Sequence, residues 1–201
     1  MSVALIDYGA GNVPSVERAL QRLGVTPCRV TRPDELASAS AIILPGVGHY
    51  AAIIRALDSQ DLRSSLLDAI SRGTPFLGIC LGLQALYASS EEAPALPGLG
   101  LLSGGVKSLP RTIKLPHMGW NRLRILNPSS LLEGIGEADY FYFAHTFAAP
   151  SRAEASVAIC DYGEPFTAVL QRGNVFATQF HPEKSGAAGA RLLQNFLRLA
   201  A

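Results

Sequence analysis

The segment Gly78-Ile79-Cys80-Leu81-Gly82-Leu83-Gln84 sets a cysteine between an apolar run and a helical pattern, with a glycine two residues to either side. Gly-x-Cys-x-Gly is the spacing of a nucleophile elbow, where the chain turns sharply from strand to helix and presents the central side chain. The two glycines are expected to allow the turn and leave room for substrate. A sulfur at the start of a helix lies in partial positive charge, which favours the reactive thiolate. The amide of Leu81 would point to the same place and could stabilise an oxyanion. A cysteine in an ordinary core is a small hydrophobe. That reading suits Cys28 and Cys160, which lack such neighbours.

A thiolate also needs a proton carrier, and the run Gln179-Phe180-His181-Pro182-Glu183-Lys184 offers one at the end of a strand pattern. In extended chain an i, i+2 spacing puts two side chains on one side, so Glu183 can hold one ring nitrogen of His181 while the other faces Cys80. By itself His-Pro-Glu reads equally well as a capped turn; coupled to the elbow it reads as a triad. The loop Pro45-Gly46-Val47-Gly48-His49 can turn the amides of Val47 and Gly48 toward developing negative charge, or it can be simply a tight turn. Together these segments point to covalent nucleophilic catalysis with oxyanion stabilisation.

The elements that must carry them alternate. Val3–Ile6 is a continuous apolar run, as in a strand buried on both faces. After the Asp7–Gly11 turn, Asn12 is placed to cap a helix, with Pro14 in its first turn, Val16, Leu20 and Leu23 inward, and Gly24 as its stop. Ala41–Leu44 is a second buried strand. Leu62, Leu66, Leu67 and Ile70 mark a helix closed by Gly73, Phe76–Ile79 a third strand, and Leu81–Tyr87 a short helix. This alternation implies right-handed crossovers and a parallel sheet whose carboxyl edge carries the site. Strands are expected at Leu123–Leu126, Tyr140–Phe143, Ala155–Ile159, Thr167–Leu170 and Val175–Thr178, two or three of them pairing antiparallel, and a docked helix over Gly189–Ala201. The expected fold is therefore α/β, a largely parallel central sheet flanked by helices with a smaller antiparallel subsheet in the second half. It forms one domain over residues 1–201.

Composition narrows the classes. Lys and Arg number 17 against 16 Asp and Glu, with no basic cluster, so the electrostatic footprint of a nucleic-acid binder is lacking. No stretch approaches the roughly 18 apolar residues of a membrane span. The opening from Met1 to Asp7 reads as a first strand, not as a signal peptide. Three cysteines without close pairing argue against a disulfide framework and suit a reducing cytoplasm. There is no C-x-x-C and no histidine pair at ligand spacing, so no metal is expected. Gly9-Ala10-Gly11 lacks the rest of a dinucleotide fingerprint.

The cysteine elbow and His181-Pro182-Glu183 resemble the triad-type, class I glutamine amidotransferases. Asp7-Tyr8-Gly9-x-Gly11-Asn12, Pro45-Gly46-Val47-Gly48, Pro116-His117-Met118-Gly119-Trp120-Asn121 and Gln179 to Ser185 narrow the resemblance to the glutaminase subunits of imidazole glycerol phosphate synthase, in histidine biosynthesis. The resemblance implies that Cys80 attacks the side-chain amide of glutamine, that His181 carries protons and that Glu183 orients His181. It implies oxyanion donors at Leu81, Val47 and Gly48, and glutamine contacts at Gln84, Gly48, Thr146 and Phe147. It also implies a separate cyclase subunit as partner, with Asn12, Tyr142 and Lys184 at the junction where ammonia passes, and no cofactor. Asn12 as a helix cap, Tyr142 as core packing and Lys184 as a solvated charge remain open alternatives. Phe147 stands where the family often has tyrosine, so a contact through a hydroxyl there is lost while backbone contacts survive. Other readings are a glutaminase serving a different synthase, and a cysteine-elbow protein of another activity.

Overall fold

The computed structural model describes residues 2–9, 12–151 and 155–200. In chain order the elements are β1 (Val3–Ile6), α1 (Val13–Arg22), β2 (Cys28–Val30), β3 (Ala41–Leu44), α2 (Tyr50–Ser59), α3 (Leu62–Ser71), β4 (Phe76–Ile79), α4 (Leu81–Gln84) and β5 (Tyr87–Ser90). They continue with β6 (Leu102–Ser108), β7 (His117–Arg122), β8 (Arg124–Ile125), β9 (Tyr140–His145), β10 (Phe147–Ala148), β11 (Ser156–Tyr162), β12 (Glu164–Arg172), β13 (Val175–Thr178) and α5 (Gly186–Leu199).

The main sheet has eight strands in the order β2-β1-β3-β4-β13-β12-β11-β8. From β2 through β13 the pairings are parallel, and from β13 to β8 they are antiparallel. Its inner parallel strands β1, β3, β4 and β13 are short and fully buried because both faces are covered, whereas β2 at the edge is mostly exposed. On β1, Val3 and Leu5 join one core while Ala4 and Ile6 join the other. Val16 and Leu20 of α1 with Leu192, Leu193 and Phe196 of α5 fill the first core; Ile53, Ile54 and Leu57 of α2 with Leu62, Leu66 and Ile70 of α3 fill the second.

Several local expectations are corrected. Asn12 stands at the start of α1 in a left-handed conformation (φ 54°) and makes no side-chain cap. The helix after Cys80 ends at Gln84, because Tyr87–Ser90 instead pairs with β6. The strand sought at Leu123–Leu126 lies mostly earlier, at His117–Arg122, pairing antiparallel with β9; only Arg124–Ile125 pairs with β11. Helix α2 lies outside the elements expected above, although Tyr50, Ile53, Ile54 and Leu57 carry the i, i+3, i+4, i+7 signal. Cys28 is exposed, because it sits on a short edge strand with its side chain toward solvent; Cys160 is buried. Ala10, Gly11 and Ala201 lie outside the described residues, so the Gly-Ala-Gly loop and the last residue of the terminal helix are not placed.

Candidate active site

The carboxyl ends of β3, β4 and β13 lie side by side, and the chemistry-bearing segments follow them directly. Cys80 follows β4 with φ 53° and ψ −102°, a conformation that non-glycine residues rarely adopt. The flanking glycines do not take the strain themselves. A Cβ on Gly82 would lie 2.0 Å from the Leu44 carbonyl oxygen, and one on Gly78 would lie 2.7 Å from the Gly82 oxygen. The glycines therefore let three backbones pack beneath the elbow, instead of making room for substrate. The same applies to Gly46, whose Cβ would meet the Leu81 Cβ at 2.5 Å. Helix α4 has only four residues, so the helix field at the sulfur is that of a single turn.

His181 and Glu183 meet across a short 3-10 turn, Pro182–Lys184, and not along an extended strand. His181 Nδ1 lies 2.9 Å from Glu183 Oε1, with both side chains almost fully buried. The His181 main chain is fixed from both sides. Its N–H donates to the Tyr142 carbonyl (2.9 Å), and its carbonyl accepts from Ser185 Oγ (2.6 Å), which in turn accepts from the Tyr142 N–H (3.0 Å). Burial alone would lower the pKa of His181. The negative charge of Cys80, a hydrogen bond to that sulfur and the bond to Glu183 outweigh burial and raise it to about 10. Beside a Cys80 thiolate the ring is thus held as an imidazolium at neutral pH.

Cys80, Gln84 and His181 open on one cavity of about 230 Å³, whose walls also include Val47, Gly48, Thr146 and Phe147. A larger cavity of about 480 Å³, lined by Ile70, Leu101, Arg172 and Asn174, sits at the opposite edge of the sheet and has no cysteine or histidine in its wall. The N–H of Leu81 donates to the Gly46 carbonyl at 3.4 Å, a long bond that is easily given up. Gly48 has φ 93°, so the loop passes through a conformation that suits glycine. His49 faces away from this chemistry: its Nδ1 accepts from the Ala51 N–H and caps α2. Gln84 Nε2 donates to the Phe147 carbonyl at 2.8 Å, so Phe147 enters through its backbone and needs no hydroxyl.

Asn12, Tyr142 and Lys184, the residues expected at a subunit junction, lie around the His181–Glu183 turn. Asn12 Nδ2 donates to Glu183 Oε1 at 3.3 Å, using for the acid the side chain that was expected to cap the helix. Lys184 Nζ lies 5.5 Å above the Tyr142 ring, and Tyr142 meets Trp120 edge-on at 6.0 Å. Two residues that the motif contains, but to which the sequence assigns no role, stand in the site: Ser185, which ties down His181, and Gln179, whose Nε2 lies 3.6 Å from Cys80 Sγ. The spacing could have found Gln179, because it lies two positions before His181 in the segment that follows β13. Among the described residues no group of three or more His, Cys, Asp or Glu could hold a metal, and no helix is long and apolar enough to cross a membrane.

The model of the glutamine amidotransferase class-I family matches residues 4–200. The imidazole glycerol phosphate synthase subunit HisH of Methanothermobacter thermautotrophicus is 46% identical over 197 residues, covering 98% of each chain. That of Deinococcus radiodurans is 45% identical over 199 residues, covering 98% of this chain and 93% of the relative. In shape the chain is similar to a crystallised glutamine amidotransferase (TM-score 0.79, 23% identity, 100% and 99% of the two chains covered). It is similar also to the PurLQS structure from Thermotoga maritima (TM-score 0.78, 22% identity, 100% and 99% covered). The chain belongs to the class-I glutamine amidotransferase family, in the company of the HisH subunits of imidazole glycerol phosphate synthase.

Proposed function

We propose that residues 1–201 form one glutamine amidotransferase domain, the glutaminase subunit of an imidazole glycerol phosphate synthase, working in the cytoplasm, where its three unpaired cysteines stay reduced. The observation that carries the reading is the convergence on one cavity of a strained cysteine and His181, itself held from behind by buried Glu183, brought together by adjacent parallel strands.

In this mechanism the Cys80 thiolate attacks the γ-amide carbon of glutamine, and the negative charge moves to the carbonyl oxygen. The Leu81 amide, released from Gly46, and the amides of Val47 and Gly48 receive that oxyanion. His181, already protonated, gives its proton to the departing nitrogen, the C–N bond breaks, and ammonia leaves a glutamyl thioester on Cys80. The neutral imidazole then takes a proton from water as the water attacks the thioester carbon. The C–S bond breaks, glutamate leaves and the thiolate returns. Glu183 holds His181 Nδ1–H throughout, leaving Nε2 for the exchange. Gln84, Gly48, Thr146 and Phe147 hold the substrate.

Ammonia is then handed to a cyclase subunit. The outward face of β7 and β9 suits such a partner: Met118, Trp120 and Tyr140 are more than half exposed, an unusual aromatic patch for a free surface. Tyr142 and Lys184 connect that face to His181. The test is glutamate release by the chain alone and mixed with the cyclase, with and without the nucleotide substrate. A low basal rate that rises strongly in the liganded complex is expected, and Cys80→Ala abolishes turnover by a factor on the order of 10⁴ or more. Full activity of the isolated chain rejects partner control, and undiminished turnover in C80A rejects the nucleophile.

A further inference from the structure

Gln179 stands opposite the nucleophile. Thr178 of β13 pairs with Ile79 of β4, and the Cys80 N–H donates to the Thr178 carbonyl at 2.7 Å, so Gln179 and Cys80 are the next residues along. The Gln179 side chain is completely buried, and its Nε2 lies 3.6 Å from Cys80 Sγ. Sulfur is larger than oxygen and holds its donors farther away, so this is a contact length. Its chemical meaning depends on which end of the amide faces the sulfur: an N–H stabilises a thiolate, whereas a carbonyl oxygen repels it.

The surrounding atoms leave one choice. The Phe147 carbonyl can only accept. His145 Nδ1 lies 2.9 Å from it and therefore carries its proton, which leaves Nε2 of the neutral ring to accept from His117 Nδ1 at 3.1 Å. Gln84 faces the same carbonyl at 2.8 Å and so must present its NH2 group. The second hydrogen of that group is aimed at Gln179 at 3.2 Å, so Gln179 offers its oxygen there and its own NH2 to Cys80.

We propose that Gln179 is a catalytic residue that donates a hydrogen bond to the Cys80 thiolate, its polarity set by Gln84, His145 and His117 through the Phe147 carbonyl. Those three are positioning residues. The inference rests on Cys80 being the nucleophile. The bond serves both halves of the reaction: it favours the thiolate before attack, and it stabilises the electron pair that returns to sulfur when the thioester C–S bond breaks. Other titratable groups stand near: His181 with Glu183 from the turn after β13, Tyr8 after β1, and Glu92 and Lys184 in the cavity wall. All of them remain in a Gln179 variant, so the change reads the amide.

The experiment follows alkylation of Cys80 by iodoacetamide against pH, in the full chain without glutamine. Peptide mass spectrometry separates Cys80 from the exposed Cys28. In Gln179→Met the midpoint is expected to rise by about one pH unit, in Gln179→Glu by more, and in Gln84→Met by less, because the freed Gln179 amide can turn. A folded Q179M whose profile coincides with wild type overturns the proposal. Should that variant fail to fold, the wild-type chain decides: the ¹⁵N resonance of the Gln179 side-chain amide must move as Cys80 titrates, and an unmoved resonance overturns it equally. A wild-type Cys80 that reacts at no pH would instead remove the nucleophile on which the proposal stands.

Discussion

His181 and His145 line the same cavity and are both buried, yet they are driven in opposite directions. Burial lowers the pKa of each. At His145 nothing opposes it strongly: the neighbours are His117, Phe143, Phe166 and a carbonyl, and the value falls to about 3. At His181 the Cys80 charge and the Glu183 carboxylate reverse the effect and raise it to about 10. Burial is thus common to both histidines, and the adjacent charge decides which one carries a proton at neutral pH. One ring becomes a proton donor for chemistry; the other becomes a fixed neutral link in a hydrogen-bonded chain.

Replacing Glu183 by Gln attacks this contrast where it is strongest. Turnover should fall by between about 10² and 10⁴, with the His181 midpoint, read by NMR, moving down toward that of His145. Retained turnover with an unmoved midpoint would mean that the carboxylate does not set the proton on His181. A smaller effect is expected from His145→Asn, which keeps an N–H for the Phe147 carbonyl but removes the titration. The folded His145 stays neutral down to about pH 3, whereas an unfolded histidine takes a proton near 6.5. The contribution to stability is therefore complete above 6.5 and is lost as the pH falls toward 3. Urea melts of H145N should show a shallower loss over that window, by up to a few kcal/mol. For His181 the sign is reversed: its contribution is complete below 6.5 and is lost as the pH climbs toward about 10. The smallest change is His117→Phe. The ring stays stacked between Phe143 and Tyr162, but His145 Nε2 loses its donor, and stability at neutral pH should drop by about 1–3 kcal/mol. A melt equal to wild type would show that the link between the two rings contributes nothing.

The parallel half of the fold was legible because each element announces itself locally. Val3–Ile6, Ala41–Leu44 and Phe76–Ile79 are apolar runs at their observed bounds, and Val175–Thr178 likewise. The segment from Tyr87 to Arg122 was not read as strands. β5, β6 and β7 are half-exposed and rich in Gly and Ser, so their pairing partners, and not their own composition, make them strands. Within the site, Cys80, His181 and Glu183 stood out because glycine and proline punctuate them. Gln179 did not, because it follows β13 with no glycine or proline beside it, and its spacing of two from His181 is its one local signal.

The residue types and their spacing determined, before any coordinates, which side chains could react and that a parallel sheet would carry them, since strand and helix periodicities are properties of neighbouring residues. Only the tertiary structure decided what each group does electrostatically. That Asn12 holds Glu183 instead of a helix end, that glycines pack under the elbow, and that one buried histidine is charged while the other is neutral all depend on contacts between segments far apart in the chain. A pKa and an amide orientation are set by the atoms within a few ångströms in space, and sequence order does not report that distance.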